Sequence, residues 1–358
     1  MSVSTVEIAN AATTSPFDNR TLTASGRAMI VAASLVVGVA LSAVLGGVAI
    51  VRVVAIAAVL HTAALYLASL RIEGRRRAID RLMTSVVTGS FVLVLIPLVS
   101  VIWTSIDRGA ARFDGAFFTE TMRGVAGAGG GAKHAIIGTL IITGLAAVLS
   151  VPVGILVAVY LVEYGQRNRL SSMITTMVDV MTGIPSIVAG LFAYSLFVIF
   201  QGPGARSGIA GAVALSVLMT PVIVRATEEM LRLVSNDLRE ASFALGVPKW
   251  KTIVKVVLPT AVGGILTGIT LAIARVIGET APLLIASGLA QDTNLNPLSG
   301  RMTTLPVMSY YGYVAPGFPP EAGYDRGWAA ALTLIIIVLV LFTAARVIAK
   351  VLQPKGFR

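Results

Sequence analysis

Residues 135–160 read AIIGTLIITGLAAVLSVPVGILVAVY, a run without one Asp, Glu, Lys, Arg or His. In helical form at about 1.5 Å per residue this stretch is longer than the roughly 30 Å hydrocarbon core of a bilayer. Lipid offers no hydrogen-bond partners, so only a segment that satisfies its backbone internally can cross it. The run therefore predicts a membrane-crossing helix and sets the class of the whole chain.

Outward from this stretch the same pattern repeats. Residues 28–70 are apolar for two crossings, with Gly46 and Gly47 near the middle and Arg52 just beyond, which predicts a tight helical hairpin. Further spans are expected over 84–106, 171–199, 208–225, 260–289 and 328–349, giving about eight transmembrane helices in an all-α integral membrane protein. Composition agrees: 56% of the residues are hydrophobic and 13% charged, against about 25% charged in soluble domains. The expected organisation is a disordered cytoplasmic tail over 1–27, an extra hairpin with a basic loop over 28–83, a main transmembrane domain over 84–350, and a C-terminal tail over 351–358.

Charge sets the orientation. With the N-terminus inside, the segments assigned to the cytoplasm hold nineteen of the 28 Lys and Arg residues and the external ones eight, while Arg275 alone lies within a span. The expectation is a bacterial cytoplasmic-membrane protein with both termini cytoplasmic. The net charge of +11 is scattered between apolar stretches, as membrane topology requires, and argues against nucleic acid. Cysteine is absent and the histidines, His61 and His134, are far apart, so disulfide, thiol and zinc chemistry are not expected. Gly131-Ala-Lys133 lacks the preceding strand and following Ser or Thr of a phosphate-cradling loop, and the glycine run from Gly124 to Gly131 reads as a flexible external linker. No His-Glu-x-x-His or Gly-x-Ser-x-Gly pattern occurs, so an intramembrane enzyme is disfavoured.

Two segments carry chemistry. The first is Glu240-Ala241-Ser242, then Gly246, then Val256 and Leu258-Pro259, in a connection over 226–259. Asp237 with Glu240 suggests a capping box, Gly246 a left-handed helix end, and Pro248 the first turn of a second helix. The second is Arg275-Val-Ile-Gly278-Glu279-Thr280-Ala-Pro282. An arginine near mid-span costs at least about 2.5 kcal/mol on insertion scales, so it should face a polar cavity or a partner. Spacing of four would let Arg275 and Glu279 share a helix face and partly neutralise one another, either as a packing ion pair or as an oxyanion site. Asp179 and the break Gly183-Ile-Pro185-Ser186 lie in another span, where Ser186 lines a pore or merely follows a kink. Gly264 and Gly268 form a small-xxx-small pair suited to close helix approach.

The first segment resembles the EAA loop of ABC importer permeases, with Ser242 in place of the second alanine and Val256 in place of isoleucine. The second, with Thr182-Gly-Ile-Pro-Ser186, Val151-Pro152-Val-Gly154, Tyr160-Leu-Val-Glu163-Tyr164 and Met302-Thr-Thr-Leu305-Pro306, resembles the phosphate-specific PstA and PstC family, nearer to PstA. That resemblance implies a six-span type I permease core preceded by the extra hairpin, and a phosphate pathway carried by Arg275, Glu279, Thr280, Ser186 and Asp179. It implies coupling to an ATPase through Glu240, Ala241, Ser242, Gly246 and Pro259. Its partners would be a paralogous permease, PstC, two copies of the ATPase PstB, an external phosphate-binding protein, PstS, and membrane lipid. No cofactor is expected on this chain, ATP and Mg being held by the ATPase. A permease for another oxyanion, or a non-conducting scaffold, is the alternative.

Overall fold

The computed structural model describes residues 21–45, 47, 49–165 and 168–352, and among these the regular elements are all helical. Among the described residues, seven helices are long and apolar enough to cross a membrane, or eight if one sharply bent pair counts as a single span. The chain divides within its third helix into two compact units, one up to Val101 and one from Ile102 onward.

The first unit holds α1 (Ala24–Val44), α2 (Ile50–Ile72) and most of α3 (Arg75–Ala110). The expected hairpin is present. It closes on a stripe of small residues, Ser34, Gly38 and Ser42, where Gly38 lies against Val53 and Ala57. The last residues of the expected tail are ordered: Thr23 caps α1, and the Leu22 N–H donates to Glu73 Oε1 at 2.7 Å. Residues 1–20 lie outside the described residues, as do 353–358 of the expected C-terminal tail.

The second unit is built around α8 (Gly208–Arg232), whose buried Leu215, Met219, Ile223 and Leu231 form its core. Against it pack α5 (Lys133–Val159) and α11 (Leu258–Ile277). The small-xxx-small expectation holds, since Gly264 faces Met230 and Gly268 faces Ala226, where an added methyl would stand 2.5 Å from the alanine Cβ. Short α4 (Gly115–Thr119) is capped by the Asp114 carboxylate, which accepts from Phe117 N–H.

Three expectations change. The span over 171–199 is two helices, α6 (Arg169–Thr182) and α7 (Ser186–Gln201), bent by 107° at the Gly183-Ile-Pro185 break. Pro185 supplies no N–H and stands just ahead of α7, so the helical ladder cannot run through it. The span over 260–289 stops at Ile277, and after Gly278-Glu279-Thr280 the chain re-enters a short helix, α12 (Ala281–Ala286). The glycine run is pinned: Arg326 donates to the carbonyls of Gly127 (2.7 Å) and Gly129 (3.0 Å), and Arg112 to that of Gly130 (2.6 Å). The following loop carries α13 (Leu305–Val314) before the long α14 (Pro320–Leu352).

Candidate functional site

The two helix breaks come together. Gly190, one turn into α7, rests on the backbone of Pro282 in α12, so Ser186 and Thr280 stand on the two segments that lead into this contact. Both residues are half-buried. Interrupted backbone at membrane depth persists only where protein or water meets its free groups. A pair of breaks packed together is therefore a place where polar groups can face a pathway.

Arg275 is exposed in the last turn of α11, and among the described residues its guanidinium makes no hydrogen bond or ion pair. The expected neutralisation by Glu279 is absent, and the backbone gives the reason. Gly278 ends the helix, and the Glu279 N–H bonds Val276 O at 3.1 Å in a tightened final turn. Glu279 thus lies outside the helical register that would have placed it on the arginine's face. The outcome is a fork of free donors beside a half-buried carboxylate on the adjoining segment.

Asp179 has a partner that sequence spacing did not reveal. Its exposed carboxylate meets Arg225 of α8, which also bonds Glu228 at 2.8 Å, and Glu228 receives Arg232 at 2.7 Å. This chain of charges ties α6 to α8.

The other set of expected residues forms a helical corner. The chain leaves α8 and forms α9 (Asn236–Ala244), whose N-cap is Ser235, its hydroxyl accepting from Asp237 N–H at 3.1 Å. The expected Asp237–Glu240 box is thus displaced, because serine occupies the capping position two residues earlier. At the other end Gly246 has φ +73°, its N–H bonds Phe243 O at 2.9 Å, and Val247 N–H bonds Ser242 O at 3.2 Å. This paired left-handed closure confirms the expected helix end.

Pro248 precedes α10 (Lys249–Thr252), and a wide turn over Ile253–Val257 connects it to α11, so residues 249–277 form one continuous helix. The wide turn comes immediately before Leu258-Pro259, where the proline cannot donate to the carbonyl four residues back. Glu240 and Ala241 are exposed, as is Pro259, whereas Ser242 is buried with its hydroxyl 2.8 Å from that of Thr252. Leu245 and Trp250 are 83% and 61% exposed, so this corner presents apolar side chains at its surface. Exposed apolar side chains of this kind suit a cleft on another protein.

Sequence reading missed the residues that hold the corner. Arg239, beside Glu240, turns inward onto Glu163 in the wide turn Tyr160–Tyr164 that ends α5, and Lys249 donates to the Glu163 carbonyl while its ammonium lies 4.9 Å from the centre of the Tyr164 ring. Only the presence of Glu163 within an otherwise apolar segment signalled it in advance.

Comparison with known proteins agrees with this architecture. Residues 150–357 match the family described as the inner membrane component of binding-protein-dependent transport systems. The Mycobacterium tuberculosis phosphate transport system permease protein PstA 1 is 50% identical over 277 residues, covering 76% of this chain and 90% of the relative. The Yersinia pestis phosphate transport system permease protein PstA is 37% identical over 273 residues, covering 76% and 90%. Among solved structures, a chain of the MetNI methionine ABC transporter in inward-facing conformations matches with a TM-score of 0.52 and 20% identity, over 62% of this chain and 96% of that one, which is a likeness of fold. The chain therefore belongs to the inner membrane components of binding-protein-dependent transport systems, and within them to the PstA phosphate transport system permeases.

Proposed function

We propose that this chain is the permease subunit of an ATP-driven importer and forms part of the transmembrane pathway for inorganic phosphate. The observation that carries this reading is Arg275, without a partner among the described residues, in the last turn of a membrane-crossing helix, in a chain 50% identical over 277 residues to a named phosphate permease. A guanidinium without a carboxylate keeps its donors for an incoming oxyanion, which it can hold through two parallel hydrogen bonds.

Arg275, Glu279, Thr280 and Ser186 line the pathway, and Asp179, its charge met by Arg225, holds α6 beside it. A paralogous permease of the PstC kind completes the pathway, and a phosphate-binding protein of the PstS kind delivers the ion from outside. A pair of PstB-type ATPases binds ATP and Mg and receives α9 in its clefts. Glu240 and Ala241 make that contact, while Ser242, Gly246 and Pro259 fix its shape and its link to α11. Both termini are cytoplasmic, on the side of α9. Neither ATP nor phosphate is chemically altered by this chain, which acts by favouring inward- and outward-open states differently.

The test is ATP-dependent phosphate uptake into proteoliposomes holding the complex and its binding protein. Arg275→Gln should abolish uptake while the complex stays assembled, and Glu240→Ala should weaken ATPase attachment. Intact uptake by Arg275→Gln would reduce Arg275 to a packing residue. Uptake of sulfate or molybdate in place of phosphate by the unchanged complex would make this a permease for another oxyanion, and no flux at all would favour a scaffold.

A further inference from the structure

We infer that Arg239 and Glu163 form the link through which movement of α9 is passed to α5, so that the corner drives two membrane helices and not α11 alone. The inference rests on the permease reading above.

The geometry is specific. Arg239 precedes Glu240 by one residue, yet Glu240 is exposed and Arg239 is largely covered, its side chain 13% exposed. Its Nε and Nη2 both reach Glu163 Oε1, at 3.0 and 2.9 Å. Nη2 also donates to Leu231 O at 2.9 Å, and Nη1 to Val234 O at 2.6 Å. These carbonyls lie at and just beyond the C-terminal end of α8. One planar guanidinium thus joins α9, the end of α8 and the end of α5.

Glu163 is held from the opposite side as well. Lys249, at the start of the helix that follows α9, donates to its backbone carbonyl. Both ends of the corner therefore grip the same residue of the wide turn that ends α5, and α5 runs from there through the membrane past Thr139, whose hydroxyl accepts from Leu305 N–H at 2.8 Å. Independently, the Ser242–Thr252 contact ties α9 to the helix that carries Arg275. A pull on α9 cannot move α11 without also loading α5, because the covered ion pair would have to separate and leave a buried carboxylate uncompensated.

A pair that served folding alone would show equal losses of assembly, hydrolysis and transport, so the discriminating quantity is phosphate moved per ATP hydrolysed. In the reconstituted complex, Glu163→Gln and Arg239→Gln should each lower this ratio on the order of tenfold, with the double variant no worse than either single one, as for residues acting as one unit. A parallel fall in hydrolysis and uptake with loss of assembled complex, or an unchanged ratio in both variants, would overturn the proposal.

A second measurement needs no phosphate. The chain has no native cysteine, so in a complex whose partner subunits are freed of reactive cysteine, spin labels placed by Asp237→Cys on α9 and Leu156→Cys on α5 report one distance. With the ion pair intact, that distance should stay narrow and unchanged between the nucleotide-free and ATP-trapped complex, and it should broaden in Arg239→Gln. A shift on ATP trapping with the pair intact would show that α5 does not follow α9. If the unchanged complex moves no phosphate, the substrate reading fails, and the distance still decides the link.

Discussion

The hydroxyl oxygens of Ser242 and Thr252 stand 2.8 Å apart, both residues buried, and join α9 to the helix that carries Arg275 in its last turn. Ser242 is the position at which this chain departs from the alanine of the EAA pattern, and the departure has a structural use.

Ser242→Ala leaves Thr252 with only a long contact to Pro248 O, at 3.4 Å. The loss should be about 1 kcal/mol, whereas replacing both, as Ser242→Ala with Thr252→Val, should be closer to neutral because no polar group is stranded. Thermal unfolding of the purified protein in detergent should place the single variant below the double one.

Gly246→Ala forces an L side chain into the left-handed region at φ +73°. The expected cost is about 1 kcal/mol, or near fivefold in affinity for the ATPase. Gly246→Asn should lose less, since asparagine tolerates this conformation. Titration of the ATPase onto immobilised permease measures both, and equal binding by all three proteins would contradict the role given to this helix end.

The chain of charges from Asp179 to Arg232 predicts unequal effects. Asp179→Asn removes a carboxylate whose side chain is 61% exposed, and should cost under about 1 kcal/mol and leave phosphate uptake within about twofold. Glu228→Gln removes one that is 8% exposed and serves two arginines, and should destabilise the protein more. Loss of uptake in a stable Asp179→Asn protein would return Asp179 to the pathway.

At the foot of the hairpin, the Arg81 guanidinium bonded to Glu73 at 2.5 and 2.7 Å holds the carboxyl at about 2, helped by the Ser69 hydroxyl and Leu22 N–H and opposed by burial. A depressed carboxylate stabilises the folded state above its unfolded value of 4.5 and loses that contribution as the pH falls through about 2. Amide exchange over residues 69–81 should stay protected at pH 4.5 and open only near pH 2. In Glu73→Gln the same amides should be open throughout.

The spans were legible because apolar length is a local property, and the Gly246 closure because it depends on one residue type. The break at Gly183 to Pro185 was visible but its consequence was not, and the one at Gly278 was read as continuous helix. A 107° turn depends on what α7 packs against, and the exclusion of Glu279 from the helix depends on where the final turn tightens. Arg239 and Glu163 are separated by 76 positions, so no periodicity could pair them. The wide turns before Gly165 and Leu258 have no compositional mark other than Pro259.

The hairpin of α1 and α2 has a consequence for biosynthesis. Its helices meet through Gly38 and Ala57, and the Ser34 and Ser42 hydroxyls are satisfied by Ile30 and Gly47 carbonyls within the pair. A nascent chain emerging from the ribosome can therefore commit these two helices to the bilayer as a finished unit, before any later helix exists to receive them.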